Sequence, residues 1–198
     1  MPPNLFLVMS LTDIIKLLYF ASLIVWILPP IRQYKSYMFD FFLVLAVIDP
    51  ATFLYGLITK SNLPLWLIAL FIYLLFISIV TEEFLKKLKY VFIALPLLFV
   101  TSIPYMSTKY YHILFVSMDL VLLFVFLKWL ITSYVESKKL NIFYLMLVFY
   151  MLTIILKFFN LIIGFADASA FFIITTIAQI AFGLFFSIFR EDGSGIAH

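Results

Sequence analysis

The chain is a succession of long apolar stretches separated by brief polar ones. Runs made mostly of Leu, Ile, Val and Phe occupy approximately residues 11–30, 38–58, 63–81, 89–106, 110–134, 140–163 and 169–189. Their lengths match the roughly 17–25 residues that cross about 30 Å of hydrocarbon as a helix. They are continuously apolar, whereas the strands of a membrane barrel alternate over about ten residues, so helices are favoured. The pattern predicts an all-α fold, a polytopic integral membrane protein built as a seven-transmembrane-helix bundle with short loops. In the fourth run Pro96 and Pro104 interrupt the pattern, with Thr101 and Ser102 between them. A kinked helix is expected there, because membrane helices tolerate Pro when neighbours satisfy the freed backbone groups.

The connections over 31–37, 59–62, 82–88, 107–109 and 135–139 are too short to fold separately. Residues 1–198 are therefore expected to form a single membrane domain, with a short polar tail over 190–198. Basic residues give the direction. Arg32, Lys35, Lys86, Lys87, Lys89, Lys128, Lys138, Lys139 and Arg190 fall towards one face, and Lys16, Lys60, Lys109 and Lys157 towards the other. Cytoplasmic loops carry the excess of Lys and Arg, so the N-terminus is expected outside and the C-terminus cytoplasmic, in a plasma or inner cell membrane. The opening stretch MPPNLFLVMS has no Lys or Arg ahead of its apolar run, and no small-residue cleavage site follows. It does not read as a secretory signal peptide, and the first segment is expected to be retained.

Composition removes the alternatives. Hydrophobic residues make up 66% and charged residues 12% of the chain, against roughly 45–50% and about 25% in soluble globular proteins. A water-soluble surface cannot be made from that, and 25 Phe, 12 Tyr and 3 Trp exclude a disordered chain. Without Cys there is no disulfide, zinc-thiolate site or iron-sulfur cluster. Five scattered Gly leave no phosphate loop and no dinucleotide fingerprint, so neither ATP nor NAD chemistry is supported. His112 and the terminal His198 are the only imidazoles, which does not support a bis-histidine haem, and no metal-ligand spacing occurs. The net charge of +3 sits between apolar runs, where it signals membrane orientation and not nucleic-acid binding.

Ionisable residues inside membrane helices are costly and face the protein interior, which makes them functional candidates by default. Asp49 lies about halfway across the second segment by the rise of roughly 1.5 Å per residue, and Asp119 in the fifth and Gln179 in the seventh reach a similar depth. Ala46, Asp49, Thr52 and Gly56 form a narrow small-and-polar stripe at helical spacing. Pro50 removes a backbone donor beside the carboxylate, which would open the local turn to a cation or water. Thr175, Gln179, Gly183 and Ser187 recur every four residues, a pattern that close helix packing with one interhelical hydrogen bond also explains.

Secondary candidates lie nearby. His112 and Asp119 are seven residues apart and share a helical face; an isolated His at the interface is also inexpensive. Tyr150, Thr153, Lys157 and Asn160 follow helical spacing. Lys157 is either a counterion for Asp49 or Asp119 or, as the preferred reading, snorkels to the outer headgroups. Asp13 and Lys16 can pair on one helix face. Glu82, Glu83, Lys86, Lys87 and Lys89 form either a small interfacial helix on which a membrane or cytoplasmic protein partner docks, or, more economically, a solvated loop.

In number and direction the segments resemble rhodopsins and other seven-helix receptors. The seventh contains no Lys, however, so the residue of a retinal Schiff base is missing. No Pro-Gln pair of the sugar-transporter kind is present, and no inverted repeat relates the first and last three segments. Three classes follow. The first expectation is a non-enzymatic ligand-sensing or accessory subunit of a membrane complex. The second is a proton- or cation-coupled secondary transporter using Asp49 and Asp119, with Gln179 completing the site. An intramembrane enzyme using the two Asp residues as an acid and base comes last, since neither lies in a catalytic motif.

Overall fold

The computed structural model describes residues 10–80, 82–102 and 106–191. Among these, every regular element is a helix: α1 (Leu11–Trp26), α2 (Leu28–Arg32), α3 (Phe39–Thr59), α4 (Leu65–Ser78), α5 (Glu82–Lys87), α6 (Lys89–Ser102), α7 (Thr108–Ser137), α8 (Ile142–Ile163) and α9 (Ala168–Ile188). Five stretches are long and apolar enough to cross a membrane: Leu11–Arg32, Phe39–Thr59, Thr108–Ser137, Ile142–Ile163 and Ser169–Ile188. The chain is thus a multi-pass helical membrane protein. α4 and the apolar part of α6 are shorter; at 14 residues α4 extends only about 21 Å.

Local chemistry sets several of the helix ends. Ser10 and Asp13 form a reciprocal cap at the start of α1, with Ser10 N–H donating to Asp13 Oδ2 and Asp13 N–H to Ser10 Oγ, both at 3.2 Å. Asp13 therefore serves the cap and makes no contact ion pair with Lys16. Pro29 and Pro30 occupy the first turn of α2, where a missing N–H costs nothing because that position has no intrahelical acceptor. α3 continues unbroken through Pro50, so the opened turn expected there is not found, although Pro50 leaves the Ala46 carbonyl without its usual donor. The α8–α9 turn is fastened twice. Gly164, at φ 68°, donates its N–H to Asn160 O at 2.7 Å, and Ala166 N–H donates to Asn160 Oδ1 at 3.0 Å. Asn141 and Asp167 cap α8 and α9 in turn.

Six of the helices close a ring. α1 packs on α9, α9 on α8, α8 on α7, α7 on α4, α4 on α3, and α3 back on α1. α6 lies outside it against α4, where the Tyr73 hydroxyl donates to the Phe92 carbonyl. The segment expected as a solvated loop contains the short helix α5; the Glu82 and Glu83 side chains lie outside the described residues, as do Pro104 and most of the polar tail. Large apolar side chains cover the outer surface, with Ile58 at 81% exposure and Ile24, Phe124 and Ile174 near two-thirds. Helices that are apolar on both faces belong in hydrocarbon.

At one end of the ring the residues after α2 meet those after α9. Buried Gln33 donates through Nε2 to the carbonyls of Phe186 (3.1 Å) and Phe189 (2.8 Å), and its Oε1 accepts Glu191 N–H at 3.0 Å. Glu191 in turn accepts from Met38 N–H (3.2 Å) and the Tyr144 hydroxyl (3.0 Å). Tyr37 donates to Ile79 O at 2.5 Å. Beneath this polar lock lies a tight aromatic layer in which Phe42 and Phe143 hold Phe186 at ring separations of 4.9 and 5.3 Å.

Candidate functional site

Inside the ring is a cavity of about 140 Å³, and all six helices contribute to its wall. Trp26 comes from α1, Ile48 and Asp49 from α3, and Phe71 and Ile72 from α4. Asp119 comes from α7, Tyr150, Lys157 and Phe158 from α8, and Gln179 from α9. Asp49, Asp119 and Gln179, expected at one depth on three helices, do meet around one space. The space is large enough for several waters or a small ligand.

Asp119 is a deeply buried carboxyl group, at 1% exposure, and its Oδ2 has no hydrogen-bond partner among the described residues. Leaving a buried acceptor unpaired costs about 1–3 kcal/mol, and more when it is charged. Lys157 is the natural counterion, yet it lies within electrostatic reach of Asp49 rather than Asp119. The pair interacts through space without a contact ion pair among the described residues. The Lys157 ammonium also sits 5.6 Å from the centre of the Phe172 ring, close enough for a cation–π attraction. Lys157 is accordingly a cavity residue, and the preferred expectation that it snorkels to the headgroups is corrected. Its long methylene stem allows either course; here its ammonium lies against the Phe172 ring of α9 and the side chain lines the cavity.

Tyr150 lines the cavity together with the two carboxylates. It is buried, with its ring 5.0 Å from Trp26 and 5.8 Å from Phe182, and lies within electrostatic reach of both Asp49 and Asp119. Asp49 is further positioned by Tyr19, whose hydroxyl reaches the Asp49 carbonyl at 3.4 Å. Gln179 makes no interhelical hydrogen bond among the described residues. The small residue beside it has a plain packing role: a Cβ on Gly183 would come within 2.7 Å of Val25 Cγ1 and 3.5 Å of Trp26 Cε2. The small-residue stripe of α9 thus brings α1 close, and Trp26 reaches the cavity wall.

Two candidates lie apart from the cavity. His112 lies tilted against Phe115 and Phe158, at ring separations of 6.2 and 6.3 Å. Thr153 donates to the Phe149 carbonyl of its own helix at 3.0 Å. Sequence reasoning passed over Trp26 altogether, since an aromatic residue in an apolar run carries no polar signal; only the Gly183 contact reveals its place.

With its ionisable groups charged, the cavity holds two carboxylates and one ammonium. Asp49 and Lys157 balance each other, and Asp119 remains. The arrangement suits a small monocation with N–H donors, or a proton, against apolar and aromatic walls. Compared with protein-family models, curated proteins and solved structures, the chain matches none of them.

Proposed function

We propose that this chain is a non-enzymatic, ligand-sensing membrane module whose six-helix ring binds a small organic cation, such as a primary amine, at Asp119. The observation that carries the reading is the unpaired Oδ2 of a buried carboxylate on a cavity whose other carboxylate already has Lys157 opposite it. A bound ammonium would supply the missing donor and the missing charge together. Tyr150 and Gln179 offer further polar contacts, and Trp26, Phe71 and Phe158 exclude water. The lock at Gln33 and the aromatic layer around Phe186 close one end, which supports binding over passage.

Cation-coupled transport is the second reading, favoured by the two carboxylates at one depth. Purified protein in liposomes separates the two. Under an imposed proton, sodium or potassium gradient the sensing module carries no flux, while added small primary amines raise the thermal midpoint of the parent and not of Asp119→Asn. Flux that disappears in both Asp49→Asn and Asp119→Asn would replace sensing with transport.

We further propose that all seven apolar segments cross a plasma or inner membrane, with the N-terminus outside. The absence of Cys makes this directly testable. Single Cys substitutions at exposed Ser61 and Glu136 are expected to react from outside and only after permeabilisation, respectively; the reverse pattern inverts the topology.

A further inference from the structure

Two arginines sit where α2 meets the end of α9. Arg32 Nε donates to the Ile188 carbonyl at 3.1 Å, and Arg190 Nη2 donates to the Tyr34 carbonyl at 2.9 Å. Each guanidinium is thereby anchored to the segment that carries the other. Both line one groove of about 550 Å³, together with Leu28, Ile31, Tyr34 and Ser187.

Among the described residues the charge in this groove is uncompensated. No carboxylate lines it, and neither arginine forms an ion pair among the described residues. Glu191, the nearest acid along the chain, is engaged at the lock, where its carboxylate accepts from Met38 N–H and the Tyr144 hydroxyl. The carbonyl end of α9 offsets about half a charge, which leaves a clear positive excess from two guanidinium groups. Lys35 adds to it, with its ammonium 5.6 Å from the Tyr34 ring centre. A guanidinium has five N–H donors in a fixed fork, and each arginine uses one on the backbone. The rest match phosphate oxygens, for which Arg is the preferred partner.

The surroundings identify the source of that phosphate. Ile31 is 68% and Ile188 63% exposed, and Leu28 continues this apolar border through exposed Ile27, between α2 and α1, to Ile24 on α1. A doubly cationic cradle at the end of a lipid-facing surface has the chemistry of a headgroup site with acyl chains running away from it. We infer that the Arg32–Arg190 groove binds the phosphate of an anionic membrane phospholipid. It is separate from the cavity and does not depend on the sensing reading.

Native mass spectrometry of the full chain released from micelles tests this with phosphatidylglycerol, phosphatidylcholine, glycerol phosphate and inorganic phosphate as probes. One phosphatidylglycerol should be retained about 30-fold better than phosphatidylcholine, from two basic groups at the surface. Arg32→Gln/Arg190→Gln should remove the preference. Because those side chains also hold the helix ends, Ser187→Trp provides a second variant that fills the groove and leaves both arginine hydrogen bonds in place; it should lose the preference too. In the unaltered protein, a photoreactive phosphatidylglycerol should label peptides spanning 28–34 and 184–190. Equal retention of the two lipids, a preference that survives both variants, labelling elsewhere, or displacement by the soluble phosphates at equal concentration would overturn the inference.

Discussion

The polar lock and the midplane cavity both bury polar side chains, and they treat them in opposite ways. At the lock, Gln33 is fully buried and its amide is saturated: both donor directions meet carbonyls and its oxygen accepts from Glu191 and, at 3.4 Å, from Ser36. In the cavity, Asp119 is equally buried and its Oδ2 meets no hydrogen-bond partner among the described residues. A saturated buried network fixes one arrangement of the chain, whereas a half-satisfied one destabilises the fold and is retained where a ligand completes it. The difference gives the lock an architectural part and is the ground on which binding is proposed for the cavity.

The comparison breaks most readily at Gln33. Gln33→Leu leaves the Phe186 and Phe189 carbonyls and the Glu191 N–H without partners, and a loss of about 3 kcal/mol is expected, read as a large fall in the thermal midpoint in detergent. A midpoint close to the parent would show that the lock is ornamental. Next in size is Gly183→Val, on the seam that joins both regions: the added atoms overlap Val25, and overpacking of this kind costs about 1–3 kcal/mol. If Trp26 is displaced as expected, its fluorescence should shift in the same variant.

Asp119→Asn should have the opposite sign. Replacing an unpaired buried carboxyl group by an amide of the same shape is expected to leave stability unchanged or raise it by about 1 kcal/mol, while abolishing the stabilisation by amines. A variant that unfolds would move Asp119 to the architectural side of the comparison. The smallest effect concerns pH at the lock. Burial first, and then the neighbouring Glu191 charge, hold the Tyr37 phenol above its ordinary value of 10.0. The folded state therefore favours the protonated phenol, so this contribution is complete below pH 10 and is lost as pH rises beyond it. A decline in thermal midpoint above pH 10 that is shallower in Tyr37→Phe is the expected result, and identical profiles would deny Tyr37 any part in it.

The helical segments were legible because their signal is local. All seven apolar runs contain a helix, and the fourth continues through Pro96. What the runs overstated was the length of α4: the stretch from 63 to 81 stays apolar, while the helix spans Leu65–Ser78. Pro64 precedes the start, and the chain turns after Ile79, whose carbonyl is held by Tyr37. The lock was missed for a related reason. Gln33 and Glu191 fall at segment ends, where polar residues are ordinary, and nothing near either one announces a partner about 158 positions away.

Depth along a helix follows from counting residues, so the sequence by itself determined a multi-pass helical chain and the level at which Asp49, Asp119 and Gln179 lie. Rotation about each helix and the order of neighbours depend on contacts between distant residues, such as Gly183 against Val25 and Trp26. Those contacts decided that the three polar groups share one cavity, that Lys157 lines it with them while Asp119 Oδ2 is left without a partner among the described residues, and that Arg32 and Arg190 meet in one groove. A transfer energy belongs to a single residue and can be read one position at a time. A pairing energy belongs to two residues and exists only once the fold has brought them together.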